Sequence, residues 1–235
     1  MFIFALSIAI TCLGIALIHR FIMPLLAKCV MGDGPSAILW LINKVYVHWV
    51  HHVKTEGCDI IPKTVHPGKL IVVCKHQSPI DPLLVQSACR FKIRWLMAKE
   101  FMVPSLDFVW KYSEVIPIAR DGQDATGLRV ALRYLKQNGV IGIFPEAGIK
   151  QPREAIHPFV EGVGAMISHT RAKVLLVTVD GTPMNDEMGD ALFEQSHSTV
   201  RFIELIDYPE SATKSEITSD LRSRLSQATG WSLVN

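Results

Sequence analysis

The sequence predicts an α/β fold, with a mainly parallel central sheet flanked by helices and N-terminal membrane-associated helices in front of it. Two observations predict it. Short β-branched apolar runs alternate with helical patterns over most of the chain, which is how parallel strands and their crossover helices read in sequence. The chain also opens with a charge-free apolar run, Phe2–Ile18. The division this implies is a membrane-anchoring helical region over 1–53 and one globular domain over 54–235.

The opening run has no Lys or Arg before it and no small-x-small cleavage site after it, unlike a cleaved signal peptide. Its first flanking charges, Arg20 and Lys28, lie on the C-terminal side. The positive-inside rule then places the rest of the chain in the cytoplasm. Three placements fit the run: a short span, a segment dipping into one leaflet, and a core helix. Gly32-Asp33-Gly34-Pro35 breaks the chain, and a second apolar stretch runs over Ala37–Val53. Its Trp40, Tyr46 and Trp49 suit a membrane interface, where an aromatic ring keeps one wet end. His48, His51 and His52 fall at i, i+3 and i+4, a spacing that can hold a metal. No acidic partner stands nearby, so a histidine-edged interfacial helix is the plainer reading and no metal is expected.

Strands are expected at Leu70–Cys74, Ile93–Ala98, Val115–Ile118, Val140–Phe144, Val174–Val179 and Val200–Ile206. Helices are expected near Pro82–Arg90, Phe101–Tyr112, Ala125–Asn138 and Val160–Thr170. In the third, Leu128, Ala131, Leu132 and Leu135 share one face. A last helix opens with a capping box, Thr213 and Glu216, and carries Ile217, Leu221 and Leu225 on one stripe. Sheets of this kind bind ligands beyond the carboxyl ends of their strands.

Hydrophobic residues make up 49% of the chain and charged residues 20%, which excludes a disordered chain. A net charge of +2 without any Lys/Arg block gives no nucleic-acid footprint. Cys12, Cys29, Cys58, Cys74 and Cys89 contain no CxxC pair and read as reduced cytoplasmic thiols.

The chemistry concentrates where the first strand ends, in Lys75-His76-Gln77-Ser78-Pro79-Ile80-Asp81-Pro82. Asp81-Pro82 reads as an N-cap followed by proline at the first helical position. On a regular helix, His76 and Asp81 would point to different faces. The prolines break that path, so a turn can return the carboxylate to the imidazole. A carboxylate so placed fixes the imidazole tautomer and leaves the other nitrogen as a general base. A plain helix cap beside an unrelated loop histidine also fits the residues.

His76-x4-Asp81 is followed in order by Val115-Ile-Pro-Ile-Ala-Arg120, by Phe144-Pro-Glu-Ala-Gly148 and by an apolar strand. That set resembles the glycerolipid acyltransferase family, most closely its 1-acylglycerol-3-phosphate acyltransferases. Met97-Ala-Lys-Glu-Phe101 with Pro104, and Phe159-Val-Glu-Gly-Val-Gly-Ala165, are similar to further family segments. The likeness covers roughly Leu70 to Val179.

The resemblance implies that His76 is the general base and Asp81 its orienting partner. The acceptor hydroxyl of a lysophospholipid would attack an acyl-CoA or acyl-carrier-protein thioester directly, with no cofactor. The bilayer would be a partner, and nucleic acid would not. Arg120 and Lys99 would bind the acceptor phosphate, and Glu146 would organise the pocket with Gly148 and Lys150 beside it. Two departures bear on the acceptor. The family's third block reads Phe-Pro-Glu-Gly-Thr-Arg, whereas here Ala147, Gly148 and Ile149 follow the glutamate, with Lys150 one position late. Its fourth block carries a proline, and Val174–Val179 has none. Another lysolipid acceptor, such as a lyso-ornithine lipid, is the alternative. A serine hydrolase would need Gly-x-Ser-x-Gly, which is absent. A non-catalytic lipid-binding protein is the remaining class.

Overall fold

The computed structural model describes residues 4, 16, 18–102, 104, 107–119 and 126–234. Nearly all of the Phe2–Ile18 run therefore lies outside the described residues.

Seven strands form the main sheet: β1 (Lys54–Glu56), β2 (Leu70–Cys74), β3 (Arg94–Ala98), β4 (Ile116–Ile118), β5 (Val140–Ile143), β7 (Lys173–Asp180) and β8 (Thr199–Ile206). Their order is β1-β8-β7-β2-β5-β3-β4. Every neighbouring pair is parallel except β7 and β8, which are antiparallel. A small parallel ribbon joins β6 (Ala155–Ile156) to β9 (Ser232–Leu233).

The sheet is covered on both faces, which is why β2 and β5 are buried along their whole length. Alternation splits β2 between two cores. Leu70, Val72 and Cys74 face α2 (Gly34–Val50) and α3 (Asp81–Ala88), where Val47, Leu84 and Val85 meet them. Ile71 and Val73 face α5 (Thr126–Lys136), α6 (Glu161–Thr170) and α8 (Lys214–Thr229). The stripe Ile217, Leu221 and Leu225 is fully buried there. Thr213 and Glu216 make the reciprocal capping box at the start of α8. A Cβ on Gly164 would lie 2.1 Å from the Lys214 carbonyl oxygen, so α6 and α8 cross closely only because that residue is glycine.

Three expectations are corrected. The helix over Phe101–Tyr112 is not continuous: a 3-10 turn spans Lys99–Phe101, and α4 covers Asp107–Ser113. The turn stops at Met102, whose backbone is extended at φ −80° and ψ 93°. The three histidines do not share a helical face. α2 ends at Val50, His51 caps it at φ −106°, and His52 has φ 39°. His51 is instead buried between Tyr46 and Ser196, and His52 stacks on His197. Among the described residues no group of three metal-ligating side chains occurs. The third correction concerns Asp81 and is described with the site.

α1 (Met23–Cys29) and α2 are joined by a sharp turn, with 68° between Arg20–Cys29 and Gly34–Val50. Among the described residues no single helix is long and apolar enough to cross a bilayer. α2 docks on α3 through Trp40 Nε1, which donates to Gln86 O at 3.0 Å, and Asn43 Nδ2, which donates to Leu83 O at 2.9 Å. Its outer side exposes Leu41, Ile42, Val45 and Trp49. A short α7 (Met188–Phe193) precedes β8.

Candidate active site

β2 and β5 are parallel neighbours in register, so the turns that follow them emerge side by side at the carboxyl edge of the sheet. The β2 turn carries His76 and Asp81, and the β5 turn carries Glu146. β3 lies beside β5 and leads into Lys99. β4 lies beside β3 and leads toward Arg120, which is outside the described residues. Parallel topology thus collects four segments of the sequence reading at one edge.

His76 Nδ1 and Asp81 Oδ2 are 2.9 Å apart, with the Asp81 side chain wholly buried and His76 17% exposed. The same oxygen accepts from the backbone N–H groups of Gln77 at 2.6 Å and Ser78 at 2.9 Å. The carboxylate therefore reaches back to the turn and does not cap the helix. The expected N-cap is shifted: Ile80 occupies it, and Asp81 is the first residue of α3. The turn amides take the oxygen that a cap would lend to the helix. The tautomer that fits this contact points an Nδ1–H at Asp81 Oδ2 and leaves Nε2 as the acceptor.

A stack of rings holds the imidazole plane. Phe144 lies against His76 with centroids 3.9 Å apart, and Trp95 lies against Phe144 at 4.8 Å, both pairs within 15° of parallel. Gly142 makes room for Trp95, because a Cβ there would sit 2.4 Å from the indole ring.

Beneath the turns lies a buried ion pair. Lys75 Nζ is 3.4 Å from Glu146 Oε2, and neither side chain is exposed. Glu146 Oε1 accepts from the backbone N–H of His157 at 3.0 Å. The Trp231 ring covers the ammonium group at 5.6 Å. Burial pushes the Lys75 ammonium pKa down and Glu146 pushes it back up. Burial and the Asp81 charge push the Cys74 thiol well up, which keeps it protonated. Glu146 thus ties the two turns together from inside.

Gly148 is half-buried and Lys150 exposed on the segment after β5, and Lys99 is exposed at the end of β3. Ala147 stands where the family block has glycine and adopts φ 57°, a left-handed conformation that strains an alanine. Ser78 is fully buried, and its Oγ has no hydrogen-bond partner among the described residues. No base activates it among the described residues.

The sequence reading missed Arg153. Its side chain is 5% exposed, and its guanidinium donates to the carbonyl of Gln77 on the His76 turn. Nothing in the local sequence separates this arginine from a solvated one. Lys75 did carry a signal, since a lysine that extends a wholly apolar central strand has no route to water.

A buried carboxylate steering a strand-end imidazole at the carboxyl edge of an α/β sheet is the arrangement of a general-base enzyme. The chain belongs to the acyltransferase family, whose model matches residues 52–180 of its 235. Its fold is similar to the crystal structure of the 1-acyl-sn-glycerophosphate (LPA) acyltransferase PlsC from Thermotoga maritima. The TM-score is 0.69 at 20% identity, over 97% of this chain and 92% of that one.

Proposed function

We propose that the chain moves a fatty acyl group from acyl-CoA or acyl-carrier-protein to the free hydroxyl of a lysophospholipid, with 1-acylglycerol-3-phosphate as acceptor and phosphatidic acid as product. The carrying observation is the 2.9 Å contact of His76 Nδ1 with buried Asp81 Oδ2. It leaves Nε2 as the base. The acceptor oxygen attacks the thioester carbonyl carbon while its proton passes to Nε2. The tetrahedral adduct then expels the thiolate, which takes that proton from the imidazolium, so a free thiol and an ester leave. Asp81 stabilises the imidazolium between the two transfers. No acyl-enzyme and no cofactor enter the sequence.

Lys99, Lys150 and Arg120 are assigned to the acceptor phosphate, with Gly148 letting the chain approach it. Glu146 organises this pocket from below, because both its oxygens are taken up by Lys75 and His157. The Thermotoga maritima relative is itself a 1-acyl-sn-glycerophosphate acyltransferase, which supports this acceptor. Ile149 in place of the motif arginine favours the second reading, another lysolipid such as a lyso-ornithine lipid.

The N-terminal region is assigned to the membrane, with the domain on the cytoplasmic side. The exposed Phe21, Ile22, Leu25, Leu41, Ile42, Val45 and Trp49 support it, as do Arg20 and Lys28 after the first apolar run. The test is an acceptor screen of the full chain with labelled acyl thioester. Phosphatidic acid formed fastest from 1-acylglycerol-3-phosphate is the expected result. A faster ornithine lipid product moves the assignment to the second reading. Thioester hydrolysis at an equal rate without acceptor rejects acyl transfer.

A further inference from the structure

Arg153 lies on the connection from β5 to β6, outside every family block. Nη1 donates to the carbonyls of Gln77 at 2.6 Å and Pro183 at 2.9 Å. Nη2 donates to the carbonyl of Met184 and to Asp186 Oδ1, both at 2.6 Å. Both terminal nitrogens are thus engaged inside the protein, and neither is available to a lipid phosphate. A buried guanidinium is expensive to desolvate, so what it joins is informative. One of its four bonds reaches the His76 turn, at Gln77 O, and three anchor it to the 183–186 segment.

The Gln77–Ser78 peptide is gripped at both ends. Arg153 holds its oxygen, and Asp81 Oδ2 accepts from its N–H at 2.9 Å. A peptide is planar, with its carbonyl and N–H pointing in opposite directions. Fixing the oxygen therefore aims the N–H at the carboxylate. A charge-assisted bond to the oxygen also polarises that N–H and strengthens its bond to Asp81. The same carboxylate oxygen meets His76 Nδ1. The path is contiguous: Asp186 and the 183–184 carbonyls anchor Arg153, Arg153 sets the peptide, the peptide sets Asp81, and Asp81 sets the imidazole.

We propose that Arg153 is a positioning residue for acyl transfer, acting through the Gln77–Ser78 peptide to hold Asp81 and aim His76. This rests on the assignment of His76 as the base. It touches neither substrate, so its loss lowers kcat and leaves both KM values near their original level.

The test compares Arg153→Met, Arg153→Lys and Asp186→Asn in the full chain. Arg153→Met lowers kcat roughly 10- to 100-fold, the range expected for misplacing a reacting group by about 1 Å. Arg153→Lys recovers part of the loss, and Asp186→Asn gives a smaller loss of the same kind. The proton resonance of His76 Nδ1–H shifts or broadens in Arg153→Met, a change that a merely structural role would not produce. In an Asp81→Asn background, Arg153→Met costs less than about 3-fold, because coupled residues are non-additive. Unchanged kcat in folded Arg153→Met overturns the proposal, as do a fully additive double variant and a raised acceptor KM at constant kcat. If Arg153→Met does not fold, Asp186→Asn and Arg153→Lys decide by the same kcat and resonance readouts. His76→Ala separates the two layers. Retained turnover there removes the base itself, whereas a dead His76→Ala beside a fully active Arg153→Met removes only the positioning claim.

Discussion

Two parts of the carboxyl edge are built on opposite principles. At the corner where β2 and β5 end, Asp81, Lys75, Glu146 and Arg153 are nearly or fully buried, and hydrogen bonds tie each to the turns. At the rim, Lys99 and Lys150 are exposed. Under the proposed mechanism the corner holds an imidazole at one angle while a proton crosses, and in a low dielectric each misdirected dipole is expensive. Under the proposed function the rim has only to meet a headgroup charge, which an exposed ammonium such as Lys150 does from many positions. On that reading, residues of the corner are expected to tolerate little change and residues of the rim to tune affinity.

The strongest way to break that contrast is Asp81→Asn set against Lys150→Ala. The first is expected to lower kcat on the order of 10²- to 10⁴-fold, as loss of general-base function does. The second is expected to raise the acceptor KM no more than about 5-fold, the scale of an exposed charge. Steady-state kinetics decides, and equal effects would erase the distinction.

Glu146→Gln leaves the Lys75 ammonium buried beside a neutral amide. The expected loss is about 3–5 kcal/mol of stability, read from denaturant midpoints. A loss under about 1 kcal/mol would mean that the pair contributes like a surface pair.

Gly142→Ala pushes on Trp95 and, through Phe144, on His76. The expected destabilisation is about 1–3 kcal/mol, together with a fall in kcat. Unchanged kcat in the destabilised variant would show that the ring stack does not govern the imidazole.

The smallest effect lies at the end of α2, where His51 meets Ser196. Burial lowers the His51 pKa below its usual 6.5, with Glu194 opposing. Below that value the unfolded chain binds more protons than the folded one, so stability falls as pH drops through about 6.5 and levels off once folded His51 also protonates. Urea midpoints at about pH 7.5 and about pH 5.5 test it, since His51→Asn is expected to flatten this part of the slope.

How far the sequence was legible follows the same contrast. β2, β5 and β7 were readable because strands buried on both faces are continuously apolar. The helix from Lys214 was readable because Thr213 and Glu216 cap it locally. The meeting of His76 and Asp81 was foreseen from the proline-broken turn, but the helix start was placed one residue late. Besides His76, the carboxylate's partners are backbone amides, which carry no side-chain signature. β1 escaped notice because Lys54–Glu56 is exposed throughout and shows no period. Arg153 and the Phe144–Trp95 stack escaped for a different reason. Their meaning lies in contacts between residues far apart in the chain, which only the sheet order brings together.

The proposed proton acceptor is His76. Its most direct test is acyl transfer by His76→Ala at saturating thioester and acceptor, with the fold checked by thermal melting. The expected result is a kcat reduced on the order of 10²- to 10⁴-fold, with melting close to that of the unaltered chain. Turnover within a few-fold of the unaltered chain in that folded variant would contradict it.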